Sequence, residues 1–309
     1  MELVNGKVIF DGALKGGYGV GAFNFINIET LKSILDAAEE KKSPVIVQCS
    51  TGAIKYAGLD TLAGICKIYA SKMSVPVCLN LDHGKTFEDC KACIDAGFTN
   101  VMIDASSLPY EENIELTKRV VEYAHAHGAT VEAELGVLAG VEDEVSATED
   151  EARYTNPEQA YDFVTRTGVD SLAIAIGTSH GTVKFKGEAK LRFDILEEVE
   201  KLLPNFPIVL HGASSIPQDM VALAEEYGAK LKGSCGIPET MLREACSHNV
   251  CKVNVDSDLR LSFTAGLRKS LSENPENVDM RKYNIEGMNL IKKVVGDKMD
   301  NVFGSSNRA

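Results

Sequence analysis

The amino-acid sequence predicts a single (β/α)₈ barrel, the TIM-barrel fold of the α/β class, with its active site at the carboxyl ends of the strands. Strand-like and helix-like segments alternate eight times, and parallel strands need the crossover helices that this alternation supplies. The length of 309 residues suits one large barrel, and no linker or change of composition divides the chain. We therefore expect one domain over residues 1–309, with a C-terminal helical extension at about 274–309.

Short apolar runs are the predicted strands. The second of them, PVIVQC at 44–49, is a continuous run of the kind expected for a strand that is buried on both faces. In chain order the predicted strands are 19–24, 44–49, 76–81, 100–104, 130–135, 171–176, 207–210 and 250–255. Because all eight are short and each is followed by a helical segment, they predict a parallel sheet that closes on itself.

Segments with an apolar period of 3.6 residues follow these strands and are the predicted helices. Thr86 opens one of them as an N-cap, with Asp89 three residues later. The predicted helices are 29–41, 59–72, 86–96, 111–127, 157–167, 193–203, 217–226, 238–247, 259–271 and 284–295. A doubly wound open sheet is the alternative fold, but no G-x-G-x-x-G motif follows the first strand, which disfavours its dinucleotide-binding form.

The composition narrows the classes of partner. Acidic residues outnumber Lys and Arg by 45 to 32, a net charge of −13, which disfavours nucleic acid and anionic membranes as partners. A local basic pocket can still bind an anionic small molecule. The N-terminal residues lack the pattern of a secretory signal, and the longest uncharged stretch, 202–218, contains three prolines. We therefore expect a cytoplasmic protein without membrane spans.

Eight cysteines lie scattered in apolar runs, which is typical of buried free thiols in a reducing compartment. Cys90 and Cys93 form a C-x-x-C motif on a predicted helix. Neither a second pair nor a nearby histidine completes a zinc site around them. We therefore expect neither a redox role nor a metal-binding role for this motif.

Polar residues stand where the predicted strands end, and in a barrel these ends meet on one face. Three of the six histidines are among them, and His83, His180 and His211 are each followed by glycine. Three imidazoles with an open fourth position form a catalytic zinc arrangement, so the sequence predicts a metal site at this face. The other residues at these ends are Asn24, Ser50, Asp82, Asp104, Glu132, Glu134, Ser179, Ser214, Asn254, Asp256 and Ser257.

Two loops and one long segment suggest how an anionic substrate is held. The loops after the sixth and seventh strands are rich in glycine and hydroxyl groups, a common phosphate site in barrels. The candidate phosphate ligands are Gly181, Lys184, Gly212, Ser214, Ser257, Arg260 and Arg281. The acidic segment 136–156 is long for a βα loop, so it is either a lid or disordered. Closure of a lid would bring in Glu142, Asp143 or Glu144 as an acid/base.

Seven segments match one known family in order. They are YGVGAFNF at 18–25, LDHG at 81–84, VMIDAS at 101–106, VEAELG at 131–136, GTSHG at 177–181, LHGASS at 210–215 and KVNVDSDLR at 252–260. With these segments, nearly the whole chain resembles the class II, metal-dependent fructose-1,6-bisphosphate aldolases. The resemblance implies a glycolytic and gluconeogenic lyase that cleaves fructose 1,6-bisphosphate reversibly to dihydroxyacetone phosphate and glyceraldehyde 3-phosphate. Tagatose-1,6-bisphosphate aldolases share most of these segments and are the alternative.

The resemblance also implies roles for the candidate residues. His83, His180 and His211 match the ligands of the catalytic Zn²⁺. Asp82 matches the acid that moves the proton of the C4 hydroxyl, and Glu142 matches the residue that moves a proton on the triose carbon. Glu134, with Asp104, corresponds to a possible second metal position.

The remaining candidates match substrate contacts in that family. Asn254 corresponds to the residue that holds the enediolate. Gly181, Gly212, Ser214, Asp256 and Ser257 match the cradle of the dihydroxyacetone-phosphate end, and Ser50, Arg260 and Arg281 match contacts to the other phosphate. Asn24 and Lys184 complete the predicted substrate-binding set. A monovalent cation (K⁺ or Na⁺) near the loops after His180 and His211, and a homodimer or homotetramer, are also implied.

Retro-aldol chemistry accounts for these residue types. Cleavage leaves a carbanion that a metal stabilises as a Lewis acid, while one carboxylate removes the hydroxyl proton and a second acid/base reprotonates the carbanion. A Schiff-base aldolase is a rival, with Lys252 as the lysine that could point inward. A zinc hydrolase would have an H-x-H motif on the first strand, which is absent. A barrel that only binds metal or sugar phosphate would lack the metal histidines or the lid acid.

Overall fold

The structure, a computed structural model, describes residues 2–137, 140–142, 145–147, 153–179, 191–231 and 233–309, with 140–142 and 145–147 described by their backbone only. Its strands, β1 to β10 in chain order, are Val20–Asn24, Val45–Ser50, Val77–Gly84, Asn100–Ile103, Thr130–Leu135, Gly140–Glu142, Val145–Ala147, Ser171–Ile174, Ile208–Leu210 and Val250–Val255. Within these ranges, eight strands form a closed parallel barrel in the order β1-β10-β9-β8-β5-β4-β3-β2. The predicted TIM barrel is confirmed.

Helices surround the barrel. Helices α1 to α12 are Gly6–Gly16, Ile28–Lys41, Thr51–Ala57, Leu59–Ala70, Phe87–Ala96, Tyr110–Ala126, Pro157–Thr167, Phe193–Leu202, Gln218–Glu226, Glu239–Ala245, Ser257–Glu273 and Met280–Lys298, and a turn of π-helix follows at Met299–Phe303. All ten predicted helices are present, one of them (157–167) with the predicted ends and nine with shifted ends. None of the helices in the described part of the chain combines the length and apolar composition needed to cross a membrane.

Helix α1, which was not predicted, closes the amino-terminal end of the barrel. The side chain of Asn5 caps its first turn, and Gly17 ends it with a left-handed φ of 62°. Its apolar face packs in one buried cluster with the first residues of several strands, among them Val20 and Cys78. The Gly6 N–H donates to Thr130 Oγ1 at 2.8 Å, so the start of the helix is hydrogen-bonded to the first residue of β5.

The C-terminal helices belong to the layer around the barrel. Helix α12, inside the expected C-terminal extension, packs against both α11 and α2. A Cβ on Gly266 of α11 would lie 2.6 Å from the backbone nitrogen of Gly287 in α12. Because the two backbones touch, glycine is required at this crossing. The long acidic segment after β5 contains an antiparallel hairpin of β6 and β7, a structure that the sequence analysis did not predict.

Candidate active site

A β-bulge in β3 turns two adjacent functional residues toward one space. In a regular strand Asp82 and His83 would point to opposite faces. Here Leu81 pairs with Val101 but Gly84 pairs with Ile103, so β3 holds one extra residue, and His83 has a left-handed φ of 52°. Ligand atoms of Asp82, His83 and His211 consequently lie within 4.8 Å of one another. The strand was predicted to end at residue 81, and the bulge explains why pairing continues to Gly84.

Buried carboxylates fix the proton positions of His83 and His211, the two predicted metal ligands that the structure describes. His83 Nδ1 lies 3.0 Å from Asp104 Oδ2, and His211 Nε2 lies 2.6 Å from Glu132 Oε1. Since a carboxylate accepts hydrogen bonds, we assign the protons to these two nitrogens. The other ring nitrogens, His83 Nε2 and His211 Nδ1, are then the ones that would bind a metal. This pattern of imidazole backed by carboxylate is the usual support of metal-binding histidines, so the donor set fits a divalent cation.

The same carboxylates control the pKa values at the site. Burial lowers the pKa of His83, but the hydrogen bond to Asp104 and the charges of Asp82 and Asp104 outweigh it and raise that pKa to about 9. Burial would raise the pKa of Asp104, but the bond to His83 holds it well below its usual range. Burial and the charge of Asp104 raise the pKa of Glu134 to about 8. A metal must therefore displace a proton from His83, so we expect metal affinity to fall as the pH falls.

Glu132 links His211 to a buried lysine. Lys252 Nζ lies 2.8 Å from Glu132 Oε2, and both side chains are fully buried. Lys252 therefore points inward, as the Schiff-base alternative requires. In this ion pair, however, it is an ammonium, which has no lone pair for attack on a carbonyl. Lys252 thus balances the charge of Glu132, which in turn orients His211.

Asp82 lies at the end of a chain of hydrogen-bonded side chains inside the barrel. Its carboxylate accepts from Asn24 Nδ2 at 2.7 Å and from Asn254 Nδ2 at 3.0 Å. Behind it, each group donates to the one before, through Asn24, Gln48, Asn80, Asn100 and Thr130, at 2.7, 3.0, 2.7 and 2.5 Å. All these dipoles point toward Asp82, and such chains reinforce one another. The sequence analysis missed this chain; its only signal was polar residues within buried strand runs.

The structure describes some of the residues that were predicted to form a phosphate cradle. A Cβ on Gly212 would lie 2.7 Å from the Ser179 carbonyl, and Gly212 has a φ of 60°, so the loops after β8 and β9 meet closely. Ser214 follows β9, and Ser257 begins α11 just after β10; both are buried. These residues lie at the carboxyl ends of neighbouring strands, as predicted. His180, Gly181 and Lys184 lie outside the described residues, and the side chain of Glu142 is also outside them.

Three residues predicted to contact the second phosphate have local partners. Ser50 caps α3 by accepting a hydrogen bond from the Ala53 N–H at 3.2 Å. Arg260 pairs with Asp256 at 2.7 Å, one turn away on the same segment. The guanidinium of Arg281 bonds to Asp279, and its side chain is 87% exposed. Among the described residues, the partner of Arg281 is thus Asp279, and no contact joins Arg281 to Asp82, His83 or His211 at the barrel mouth.

Comparison with known proteins points to one family. The family model described as "Fructose-bisphosphate aldolase class-II" matches residues 4–308. The fructose-bisphosphate aldolase of Treponema pallidum (strain Nichols) is 49% identical, over 100% of this chain and 98% of that protein. That of Helicobacter pylori (strain J99) is also 49% identical, over 99% of both chains. The crystal structure of the YdjI aldolase from Escherichia coli K12 aligns with a TM-score of 0.81 at 31% identity, covering 99% of both chains.

Proposed function

The chain belongs to the class II fructose-bisphosphate aldolase family, and from this premise we propose which metal, substrate and residues it uses. It is a lyase of that family, which works with a divalent metal. The proposed reaction is the reversible cleavage of fructose 1,6-bisphosphate to dihydroxyacetone phosphate and glyceraldehyde 3-phosphate, with Zn²⁺ as the metal. The observation that carries the proposal is the group of Asp82, His83 and His211 donors at the barrel mouth.

The residues at the barrel mouth have proposed roles around the metal. His83 Nε2 and His211 Nδ1 would hold it, together with His180. When bound, the metal would supply Lewis-acid stabilisation of the carbonyl and hydroxyl oxygens of the substrate. Asp82, held by Asn24 and Asn254, would accept the proton of the C4 hydroxyl.

The amide of Asn254 is suited to hold the substrate. Its nitrogen donates to Asp82 Oδ1 at 3.0 Å, which orients the amide. The same nitrogen lies 2.9 Å from His211 Nδ1, a contact that a metal on Nδ1 would replace. Its oxygen, Oδ1, is buried and has no hydrogen-bond partner among the described residues. A buried amide oxygen without a partner is costly, and a substrate hydroxyl would satisfy it. We propose that this hydrogen bond helps Asn254 hold the enediolate portion of the substrate.

The phosphate cradle gives a first prediction. If Ser214 donates to a substrate phosphate, Ser214→Ala removes a hydrogen bond to a charged group, and KM for fructose 1,6-bisphosphate should rise about tenfold or more. Steady-state kinetics should show kcat nearly unchanged, because this contact is made before and during the reaction. Unphosphorylated fructose should be a very poor substrate. An unchanged KM in Ser214→Ala would remove Ser214 from the cradle.

The proposed role of Glu142 is tested by isotope exchange. Glu142→Ala should lower kcat and slow the exchange of the C–H proton of dihydroxyacetone phosphate with deuterium by about a hundredfold or more, because that proton needs an acid/base. The Zn²⁺ content should stay normal. Exchange at the wild-type rate would make Glu142 an ordinary solvated acid, and Asp143 and Glu144 would be tested next in the same assay.

A coupled cleavage assay with two sugars tests the substrate. Fructose 1,6-bisphosphate and tagatose 1,6-bisphosphate differ only in the configuration at C4, where Asp82 is proposed to act. We expect higher kcat/KM for the fructose isomer. A clear preference for the tagatose isomer would move the assignment to the alternative within the same family. His211→Ala serves as the control that removes the proposed metal site.

Assembly, location and a further ion complete the proposal. We propose a homodimer or homotetramer with a sugar bisphosphate as its small-molecule partner, and K⁺ or Na⁺ near the loops after His180 and His211. A cytoplasmic location is supported by the eight free cysteines, since a reducing compartment preserves thiols.

Cys90 and Cys93 are buried on α5, and burial raises the pKa of Cys93 to about 12, which disfavours the reactive thiolate.

A further inference from the structure

A second group of potential metal ligands adjoins the first and shares a residue with it. Atoms of His83, Asp104 and Glu134 lie within 4.8 Å of one another, and all three side chains are buried. His83 would not serve both groups as a ligand, because its Nε2 would hold the first metal and its Nδ1 carries the proton that is bonded to Asp104. Once the first metal is bound, the second group therefore consists of two carboxylates.

A lysine is already paired with one of these two carboxylates, that of Asp104. Lys85 Nζ lies 2.5 Å from Asp104 Oδ2, the oxygen that also accepts from His83. The other oxygen, Oδ1, accepts from the Ser106 amide at 3.2 Å and from the Ser106 hydroxyl at 2.6 Å. Four donors thus fill the four lone-pair sites of the Asp104 carboxylate. A metal could bind Asp104 only by displacing one of them, and the ammonium of Lys85 is the only one on a long flexible side chain.

The carboxyl group of Glu134, unlike that of Asp104, is not filled by hydrogen-bond donors. Its Oε2 is buried without a hydrogen bond among the described residues, and the nearest described cationic atom is His83 Nδ1 at 3.8 Å. Two acidic side chains buried side by side are costly without a positive charge beside them.

We propose that the ammonium of Lys85 provides this charge and keeps a second divalent cation out of the Asp104 and Glu134 group. This inference rests on the proposed function, because it assumes that the first metal is bound through His83. A cation as close to Asp104 as Lys85 would strongly repel a divalent ion in the same place. Lys85 is therefore the residue that sets the metal stoichiometry of this chain at one.

Removal of the ammonium should open the second site. The enzyme is first loaded with one Zn²⁺ per chain and then titrated with Mn²⁺, while free Mn²⁺ is followed by electron paramagnetic resonance and retained zinc by mass spectrometry. Lys85→Met should bind one Mn²⁺ at least about tenfold more tightly than the wild type does, because the repulsion is gone. Lys85→Arg, which keeps the charge, should behave as the wild type does. The Glu134→Gln change added to Lys85→Met should remove the new site.

Lys91→Met is the matched control, because Lys91 is also paired with an aspartate but lies on the exposed face of α5. It should leave Mn²⁺ binding unchanged. Equal Mn²⁺ affinity in the wild type and Lys85→Met, whether both bind or neither does, would overturn the inference. Failure of the wild type to bind the first Zn²⁺ would instead contradict the proposed function, so the two failures can be told apart. If Lys85→Met is poorly folded, Lys85→Gln gives the same test.

Discussion

Replacement of Asp82 by alanine is expected to lower kcat for cleavage about a hundred- to ten-thousandfold, the usual effect of losing a positioned general base. The bulge in β3 places this carboxylate beside His83 and His211, and the amides of Asn24 and Asn254 hold both of its oxygens. No other carboxylate belongs to this donor group among the described residues. The measurement is a single-turnover cleavage assay, which isolates the chemical step from product release.

The zinc content separates this role from a role in metal binding. We expect Asp82→Ala to keep most of its Zn²⁺, because His83, His180 and His211 remain. Asp82→Asn keeps the shape of the side chain but removes the base, so it should be nearly as slow. A variant that retains zinc and cleaves at the wild-type rate would show that the proton goes to another group.

Replacement of Lys252 by methionine is expected to lower the free energy of unfolding by about 3–5 kcal/mol, because it leaves Glu132 as an unpaired charge in the barrel. Both partners of this ion pair are fully buried. Chemical denaturation of the metal-free protein measures the loss without interference from metal binding. The change Lys252→Met combined with Glu132→Gln should recover part of the stability, since the buried charge is then gone.

Lys91→Met provides the comparison for an exposed pair. Its ion pair with Asp95 lies at the surface, so its removal should change the free energy of unfolding by less than about 1 kcal/mol. If Lys252→Met lowered the free energy of unfolding by as little as Lys91→Met, the Lys252–Glu132 pair would not have the structural role assigned to it. A borohydride-trapped adduct on Lys252 would revive the Schiff-base alternative.

The barrel and the histidines at its mouth were predictable because both depend on local patterns. Alternating apolar runs mark the strands, and a histidine followed by glycine marks the mouths of β3 and β9. The helix α1 was equally predictable, because it has local signals in a capping Asn5 before it and a left-handed Gly17 after it.

Features that depend on pairing between strands could not be predicted. The bulge at Asp82 and His83 arises from the register of β3 against β4, which the sequence of β3 alone does not contain. The same holds for the chain of amides behind Asp82, since each bond joins residues on different strands. The phosphate contact of Arg281 stays a prediction from the resemblance in sequence, and its described partner is Asp279.

We propose that cleavage of fructose 1,6-bisphosphate requires a divalent metal held at the barrel mouth. The most direct test is a coupled cleavage assay on one preparation, before chelation, after chelation and after the return of Zn²⁺, with a parallel sample treated with substrate and borohydride. We predict loss of activity with the chelator, recovery with Zn²⁺ and no trapped adduct. Full activity in the chelator, or a covalent lysine adduct after borohydride, would contradict the claim.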